Sequence, residues 1–283
     1  MIYITYVIIA MLSIQYGASL AKQLFPFLGA QGTTTLRLLF ATIILFCIFR
    51  PWRGKISRLE YRWIIFYGLS LGAMNLLFYF SLERIPLGIA VAVEFTGPLA
   101  VALWSSRKAL DFVWAFLAVA GIILILPVSE KSVPVDPLGV ALALGAGFFW
   151  ACYIVFGQKG GSTITGGKIT SYGMLIATLV ALPFGIAHSG AELFNSKYLP
   201  IGILVAIFSS AIPYTLEMIG LKKIPTKTFG ILMSVEPAVA ALMGLIFLQE
   251  HLALAQWIAV IFIILASTGS ALNLSKRKTV PLV

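Results

Sequence analysis

The sequence predicts an all-α polytopic membrane protein of ten transmembrane helices, arranged as two inverted five-helix repeats around a central cavity. Three observations predict it. The 283 residues are 60% hydrophobic and 11% charged, with a mean hydropathy of +1.01, whereas charged residues make up roughly a quarter of a soluble domain. Apolar runs of near membrane-spanning length follow one another along the whole chain with short polar connections. A proline-marked pattern in the fourth run returns 139 residues later in the ninth.

The runs fall at about 2–24, 32–49, 62–82, 86–104, 111–127, 138–157, 168–188, 199–220, 227–248 and 253–273. The first is too long, and too poor in N-terminal positive charge, for a cleaved signal peptide, so it reads as a span. Fifteen basic residues sit in the even-to-odd connections and the tail: Arg50, Arg53, Lys55, Arg58, Arg62, Arg107, Lys108, Lys159, Lys168, Lys222, Lys223, Lys227, Lys276, Arg277 and Lys278. Only Arg84, Lys131 and Lys197 lie in the opposite connections. That asymmetry places both termini in the cytoplasm. It also explains the net charge of +10 without nucleic acid, because the basic residues form no single patch. Cys47 and Cys152 lie in apolar runs without metal-ligand spacing and read as small core hydrophobes.

Ile85-Pro86 and Pro98 recur as Ile224-Pro225 and Pro237, each 139 residues on, and Trp114 and Trp257 follow in the next run. Residues 1–129 therefore form a first five-helix repeat. Residues 130–283 form a second, with a short basic tail. Five is odd, so the two halves enter the membrane in opposite directions. Inverted repeats with interrupted helices at matching positions point to a secondary transporter with a midplane site. Because the repeat is internal, a monomer is functionally sufficient.

Glu94 stands in the middle of the fourth run, and an ionisable residue at that depth marks a substrate or proton path by default. Pro98 cannot bond the Glu94 carbonyl, so the helix breaks there, and the charge and freed carbonyl both point to an internal aqueous site. Pro237 marks the matching break. In the repeat register Glu94 faces Met233 and Gly97 faces Glu236, so each half contributes one acid at a different turn. A buried carboxylate can exchange its proton for a cationic ligand group, which makes Glu94 and Glu236 candidates for proton coupling. Glu236 is open to a second reading, capping freed backbone or pairing with a lysine. Arg37 could offer a fork to a carboxylate or snorkel to the outer interface. Lys22 reads as snorkelling, Glu217 as pairing with Lys222 or Lys223, and Glu250 as solvated. Gln15, Asn75 and Thr96 could orient a small polar ligand, as could Ser234. Tyr79, Trp150, Tyr153 and Tyr214 are the aromatic candidates. There is no HExxH, no paired-acid motif for metal and pyrophosphate, and no Gly-rich phosphate loop, so neither an enzyme nor a metal or cofactor is expected.

The run Arg37-Leu38-Leu39-Phe40-Ala41 and the pair Glu236-Pro237, set in a ten-span duplicated plan, resemble the drug/metabolite transporter superfamily, EamA type. Ser13-Ile14-Gln15 with Gly17-Ala18-Ser19-Leu20-Ala21-Lys22, Pro86 to Ala92 leading to Glu94-Phe95-Thr96-Gly97-Pro98, Ala141 to Gly147, and Pro213-Tyr214 with Leu216 to Ile219 are similar to one branch. So is Pro225-Thr226 with Thr228-Phe229-Gly230. That branch comprises bacterial inner-membrane exporters of threonine and homoserine. The resemblance implies export of small neutral amino acids by proton antiport, with alternating access. Glu94 would take the ammonium and Arg37 the carboxylate. The alternatives are import or exchange of another metabolite such as S-adenosylmethionine and, from a different class, a membrane-embedded enzyme acting on lipid. The expected partners are the small-molecule substrate, protons and the bilayer.

Overall fold

The computed structural model describes residues 2–53, 56–106, 109–125, 135–161, 166–213 and 232–274, with Leu216 and Phe229. The described chain is almost wholly helical. Its helices are α1 (Ile2–Phe49), α2 (Arg58–Leu82), α3 (Leu87–Glu94), α4 (Thr96–Ser106), α5 (Ala109–Ile125), α6 (Pro137–Gly161), α7 (Gly166–Ser189), α8 (Leu199–Ala206), α9 (Glu236–Leu248) and α10 (Leu254–Leu274). A 3-10 turn covers Gly190–Phe194 and a π-helical turn Ile207–Ala211. Among the described residues, five stretches are long and apolar enough to cross a membrane: Ile2–Phe49, Glu60–Leu82, Pro137–Gly160, Gly167–Phe194 and Leu254–Leu272.

The first two expected spans are two helical limbs, taken together as α1, that meet in a sharp kink at Gly29, whose φ of 61° and ψ of 175° lie outside helical space. Glycine is needed there because it alone adopts such angles without strain. A Cβ would also stand 2.5 Å from His188 Nε2. In a straight helix Gln15 and Arg37 would be about 33 Å apart at 1.5 Å per residue, yet both line one cavity. The chain therefore folds into a hairpin.

The turn of that hairpin lies at an end where other connections gather. The backbone N–H of Ala30 bonds Glu83 Oε1 at 2.5 Å, and Ser189 Oγ donates to the Leu28 carbonyl at 2.8 Å. Phe27 stacks on Tyr198 with ring centroids 5.4 Å apart. Arg84 pairs with Asp136 at 2.7 Å. Arg84 and the Leu138 N–H hold the Asp136 carboxyl below the usual aspartate range. At the other end Phe46 meets Tyr172, and Lys159 lies over Trp63. There α2 starts at a capping box, with Ser57 and Glu60 each satisfying the other's backbone N–H.

The expected fourth span, 86–104, divides at Phe95 into α3 and α4. The expected eighth, 199–220, changes at Ile207 from α- to π-helical. The expected ninth, 227–248, is described from Leu232 onward; Ser234 and Val235 form a turn and α9 starts at Glu236. Both breaks thus lie just before the prolines rather than at them. The proline ring is accommodated in the first turn of the following helix, where no N–H partner is needed.

Small residues set the packing. The second limb of α1 lies on α7, where Thr42 and Thr178 share a hydrogen bond of 2.8 Å and Thr35 bonds the Ala181 carbonyl at 2.9 Å. Gly88 of α3 crosses Ala241 of α9 so closely that a Cβ would stand 2.5 Å from the Ala241 Cα. Gly121 brings α5 to Ala259 and Ile263 of α10. The first limb of α1 lies against the π turn and α9, with Gly17 on Ser209 and Tyr16 on Phe247. The second limb meets α8, where Leu36 and Phe40 face Gly202, while α6 lies against α2, α3 and α4. Close backbone approach of this kind is how helices associate in lipid. Outward, large apolar side chains are bare: Trp104 is 79% exposed, Phe112 80% and Leu254 77%. An apolar surface of this extent fits lipid rather than water. The chain is a multi-pass membrane protein. Cys47 is exposed on this surface and Cys152 half-buried, so neither is a core residue; in lipid a small apolar side chain serves as well outside as inside.

Candidate functional site

The hairpin of α1, the C-terminal part of α2, the end of α3, the middle of α6, the π turn and the start of α9 line a cavity of about 140 Å³. Gln15, Arg37, Asn75, Tyr79, Glu94, Trp150, Tyr153 and Glu236 line it, together with Ile14, Ala18, Met74, Phe78, Val91, Ser209 and Met233. Most of the residues singled out from the sequence are therefore brought together. Thr96 is not. Its hydroxyl donates to the Val93 carbonyl one turn back, at 2.6 Å, which spends it on the break between α3 and α4. Tyr214 lies outside the described residues, as does Glu217.

Arg37 is buried, with 5% of its surface exposed. Its Nη1 donates to Asn75 Oδ1 at 2.6 Å and its Nη2 to the Ser209 carbonyl at 3.4 Å. Asn75 Nδ2 donates to the Leu71 carbonyl at 2.8 Å, which fixes the amide with its oxygen toward Arg37. The guanidinium carbon stands 5.3 Å from the centre of the Tyr79 ring, a cation–π arrangement. Two of its five N–H groups are used, Nε has no partner, and no carboxylate pairs with it among the described residues. Snorkelling is excluded for this arginine, because the hairpin turns it inward.

The π turn supplies what holds Arg37. An i→i+5 step leaves carbonyls without their ordinary helical partners, and such turns occur at functional sites. Here the Phe208 carbonyl accepts from Ser13 Oγ at 2.7 Å and the Ser209 carbonyl from Arg37. Gly17 lets α1 approach; a Cβ there would stand 2.7 Å from the Ser209 backbone nitrogen. The sequence reading missed Ser209, although the small polar pair Ser209-Ser210 just before Pro213 in an apolar run was a signal for irregular backbone.

Glu94 ends α3, buried, and no hydrogen-bond donor reaches its carboxylate among the described residues. The carbonyl that Pro98 frees does not face the cavity, contrary to expectation. It lies against Gly147 of α6, where a Cβ would come to 2.7 Å, because Gly97 and Gly147 let α4 and α6 touch backbone to backbone. Glu236 Oε1 accepts from Gln15 Nε2 at 2.9 Å, while Glu236 Oε2 and Gln15 Oε1 are buried without a partner. Among the described residues, Glu236 thus neither pairs with a lysine nor caps freed backbone. Tyr67 and Tyr153 join hydroxyls at 3.1 Å on one side of the cavity, and Trp150 stands edge-on to Phe95 with centroids 5.5 Å apart. Ser234 faces Ser267 at 2.8 Å and does not line the cavity.

Lys22 and Glu250 are a pair rather than two solvated ends. Gln249 is left-handed at φ 56°, and the chain turns so that the Glu250 N–H returns to the Gly244 carbonyl at 3.1 Å. Glu250 Oε1 then meets Lys22 Nζ at 2.6 Å, and its Oε2 accepts the Leu87 N–H at 2.7 Å, at the positive end of α3. Lys22 also donates to the Ile85 carbonyl at 3.1 Å.

Chemically, the cavity offers one base and two acids that are not paired with one another. It can hold a small solute carrying both charges.

Residues 137–272 match the EamA-like transporter family. The chain is 52% identical to the threonine/homoserine exporter RhtA of Salmonella typhimurium strain LT2, over 95% of this chain and 91% of that protein. It is 51% identical to the protein of the same name from Escherichia coli K12, over 98% and 94%. Protein PecM of Dickeya dadantii is 26% identical over 72% and 71%. A solved crystal structure shares the fold, with a TM-score of 0.62, 17% identity, and coverage of 95% of this chain and 96% of the other. With a family model over its second half and half its residues shared with these exporters along nearly its whole length, the chain belongs to the EamA-like transporter family.

Proposed function

We propose that the chain exports small neutral amino acids of the threonine and homoserine kind across a bacterial inner membrane, by alternating access with protons moving inward. The observation that carries the reading is the set of buried charged side chains lining one small cavity, Arg37, Glu94 and Glu236, none of which forms an ion pair with another. Burying a lone charge is costly, so a site that keeps a base and acids apart suits a ligand that pairs with both. A substrate carboxylate meets the Arg37 fork, and its ammonium meets Glu94. Two acids and one base leave one negative charge uncancelled when a zwitterion is bound. A proton carried on either acid balances it, which supports proton coupling. Relatives that share half the sequence bear the name of threonine/homoserine exporters, which supports the cargo and direction.

The volume supports a small cargo. At about 140 Å³ the cavity falls below the roughly 300–1,000 Å³ of pockets for drug-sized ligands, which disfavours S-adenosylmethionine.

The packing supports ten spans in two inverted repeats, 1–129 and 130–283. The two limbs of α1 stand for the first and second spans, and α3 with α4 for the fourth. The first span then packs on the eighth and ninth, as the sixth packs on the third and fourth. The second with the seventh, the fourth with the ninth, and the fifth with the tenth are self-paired contacts. Each of the contacts just named has its counterpart when the two halves are exchanged. Loop charge places both termini in the cytoplasm, so the Lys22–Glu250 pair closes the outer end.

Uptake and efflux of a labelled metabolite panel by the purified protein in liposomes, with and without a pH gradient, tests the reading. Threonine and homoserine should move, and an inward-directed proton gradient should drive their export. Movement of S-adenosylmethionine alone would replace this reading with the larger-metabolite one.

A further inference from the structure

Gln15 is buried to 3% exposure on the first limb of α1, and its amide is locked. Only Nε2 can donate, and it donates to Glu236 Oε1 at 2.9 Å, so Oε1 is left as an acceptor. That oxygen is buried, lines the cavity, and meets no donor among the described residues. Beside it Ala18, one turn on, keeps the wall small. Buried polar atoms are almost always partnered in folded proteins, and this one lacks a partner where the ligand sits.

Resting on the exporter reading above, we propose that Gln15 Oε1 is the subsite that reads the hydroxyl group of the cargo side chain, separating hydroxy amino acids from their apolar analogues. Among the described residues, four groups lining the cavity have free accepting capacity: the Glu94 carboxylate, Glu236 Oε2, Gln15 Oε1 and the Tyr79 hydroxyl, and the last belongs to the ring beside Arg37, where the substrate carboxylate sits. A substrate ammonium bonds a carboxylate about twice as strongly as a neutral oxygen, so it takes Glu94. The neutral amide is left for a neutral donor, and the donor an aliphatic amino acid can add is a hydroxyl. Glu236 holds the amide in place; Gln15 makes the contact. A site built to bond a hydroxyl rejects the analogue without one far more strongly than an apolar pocket rejects a missing methylene, because its polar atom is then left bare.

The experiment is competition against labelled threonine in proteoliposomes, with 2-aminobutyrate, which has the same carbon skeleton without the oxygen. The wild-type protein should prefer threonine at least tenfold. Gln15→Met, checked by its melting temperature, should reduce that preference to within about twofold, because threonine affinity falls more than 2-aminobutyrate affinity does. A wild-type protein that takes 2-aminobutyrate as readily as threonine overturns the proposal without any variant. So does a Gln15→Met protein with an unchanged preference. Equal loss of both solutes assigns Gln15 to the shared amino-acid core and also overturns it. A wild-type protein that moves neither solute removes the exporter reading itself, and this inference with it.

Discussion

Asn75 Oδ1 accepts a hydrogen bond from Arg37 Nη1 at 2.6 Å while its own nitrogen is tied to the Leu71 carbonyl one turn back. Asparagine in α2 thus aims the arginine of α1. Hydrogen bonds to charged groups are worth about 1.5–3 kcal/mol, or roughly ten- to hundredfold in affinity. Asn75→Leu should weaken threonine binding by at least tenfold, measured by isothermal titration on purified protein. Arg37→Lys should do the same, because an ammonium cannot reproduce the fork. Unchanged affinity in both would remove Arg37 from the binding site.

The Lys22–Glu250 pair ties α1, the connection after α9 and the start of α3. Side-chain exposures of 22% and 14% make it a largely desolvated pair. Glu250→Gln should loosen the outer end by about 1.5–3 kcal/mol, the range for a charged hydrogen bond. A cysteine at Ala18, on the cavity wall, should then react faster with an impermeant maleimide added outside. Lys22→Met should act in the same direction. No change in either rate would reduce the pair to an incidental contact.

The approach of Gly97 to Gly147 holds the Glu94 carbonyl against α6. Gly147→Ala should force α3 and α4 off α6 at about 1–3 kcal/mol, the usual cost of overpacking. It should lower both the melting temperature and the threonine affinity. Gly145→Ala, whose nearest neighbour is the flexible end of Leu77 at 3.2 Å, should be much milder. Equal effects would show that α6 tolerates no added methyl anywhere along this face.

Most of the cavity was legible because membrane burial makes polar residues conspicuous. Gln15, Arg37, Asn75, Glu94 and Glu236 stand out in apolar runs, and a charge there has few reasons to exist. Thr96 stood out equally, but a hydroxyl can be satisfied by its own helix, and sequence alone does not reveal which threonines are. Ser209 was missed because its contribution is a backbone carbonyl freed by a π turn. The Ser209-Ser210 pair before Pro213 signals irregular backbone there, but not which carbonyl it frees. The Lys22–Glu250 pair spans 228 residues and depends on one left-handed residue, Gln249, so sequence spacing could not suggest it.

Both termini are expected in the cytoplasm. In a background with Cys47 and Cys152 replaced by alanine, single cysteines at the exposed positions Arg53 and Ser196 should label from opposite sides. Intact cells treated with an impermeant maleimide should label position 196 and spare 53. Labelling of both from outside would break the inverted-repeat account.

The most direct measurement is proton-driven threonine transport in proteoliposomes by wild-type protein and Glu94→Gln. The substitution keeps the size and hydrogen bonding of the side chain and removes its charge and its proton. The account predicts that the variant stays folded, binds threonine at least tenfold more weakly, and no longer responds to an imposed pH gradient. A Glu94→Gln protein with unchanged threonine affinity and an undiminished response to the gradient would contradict it.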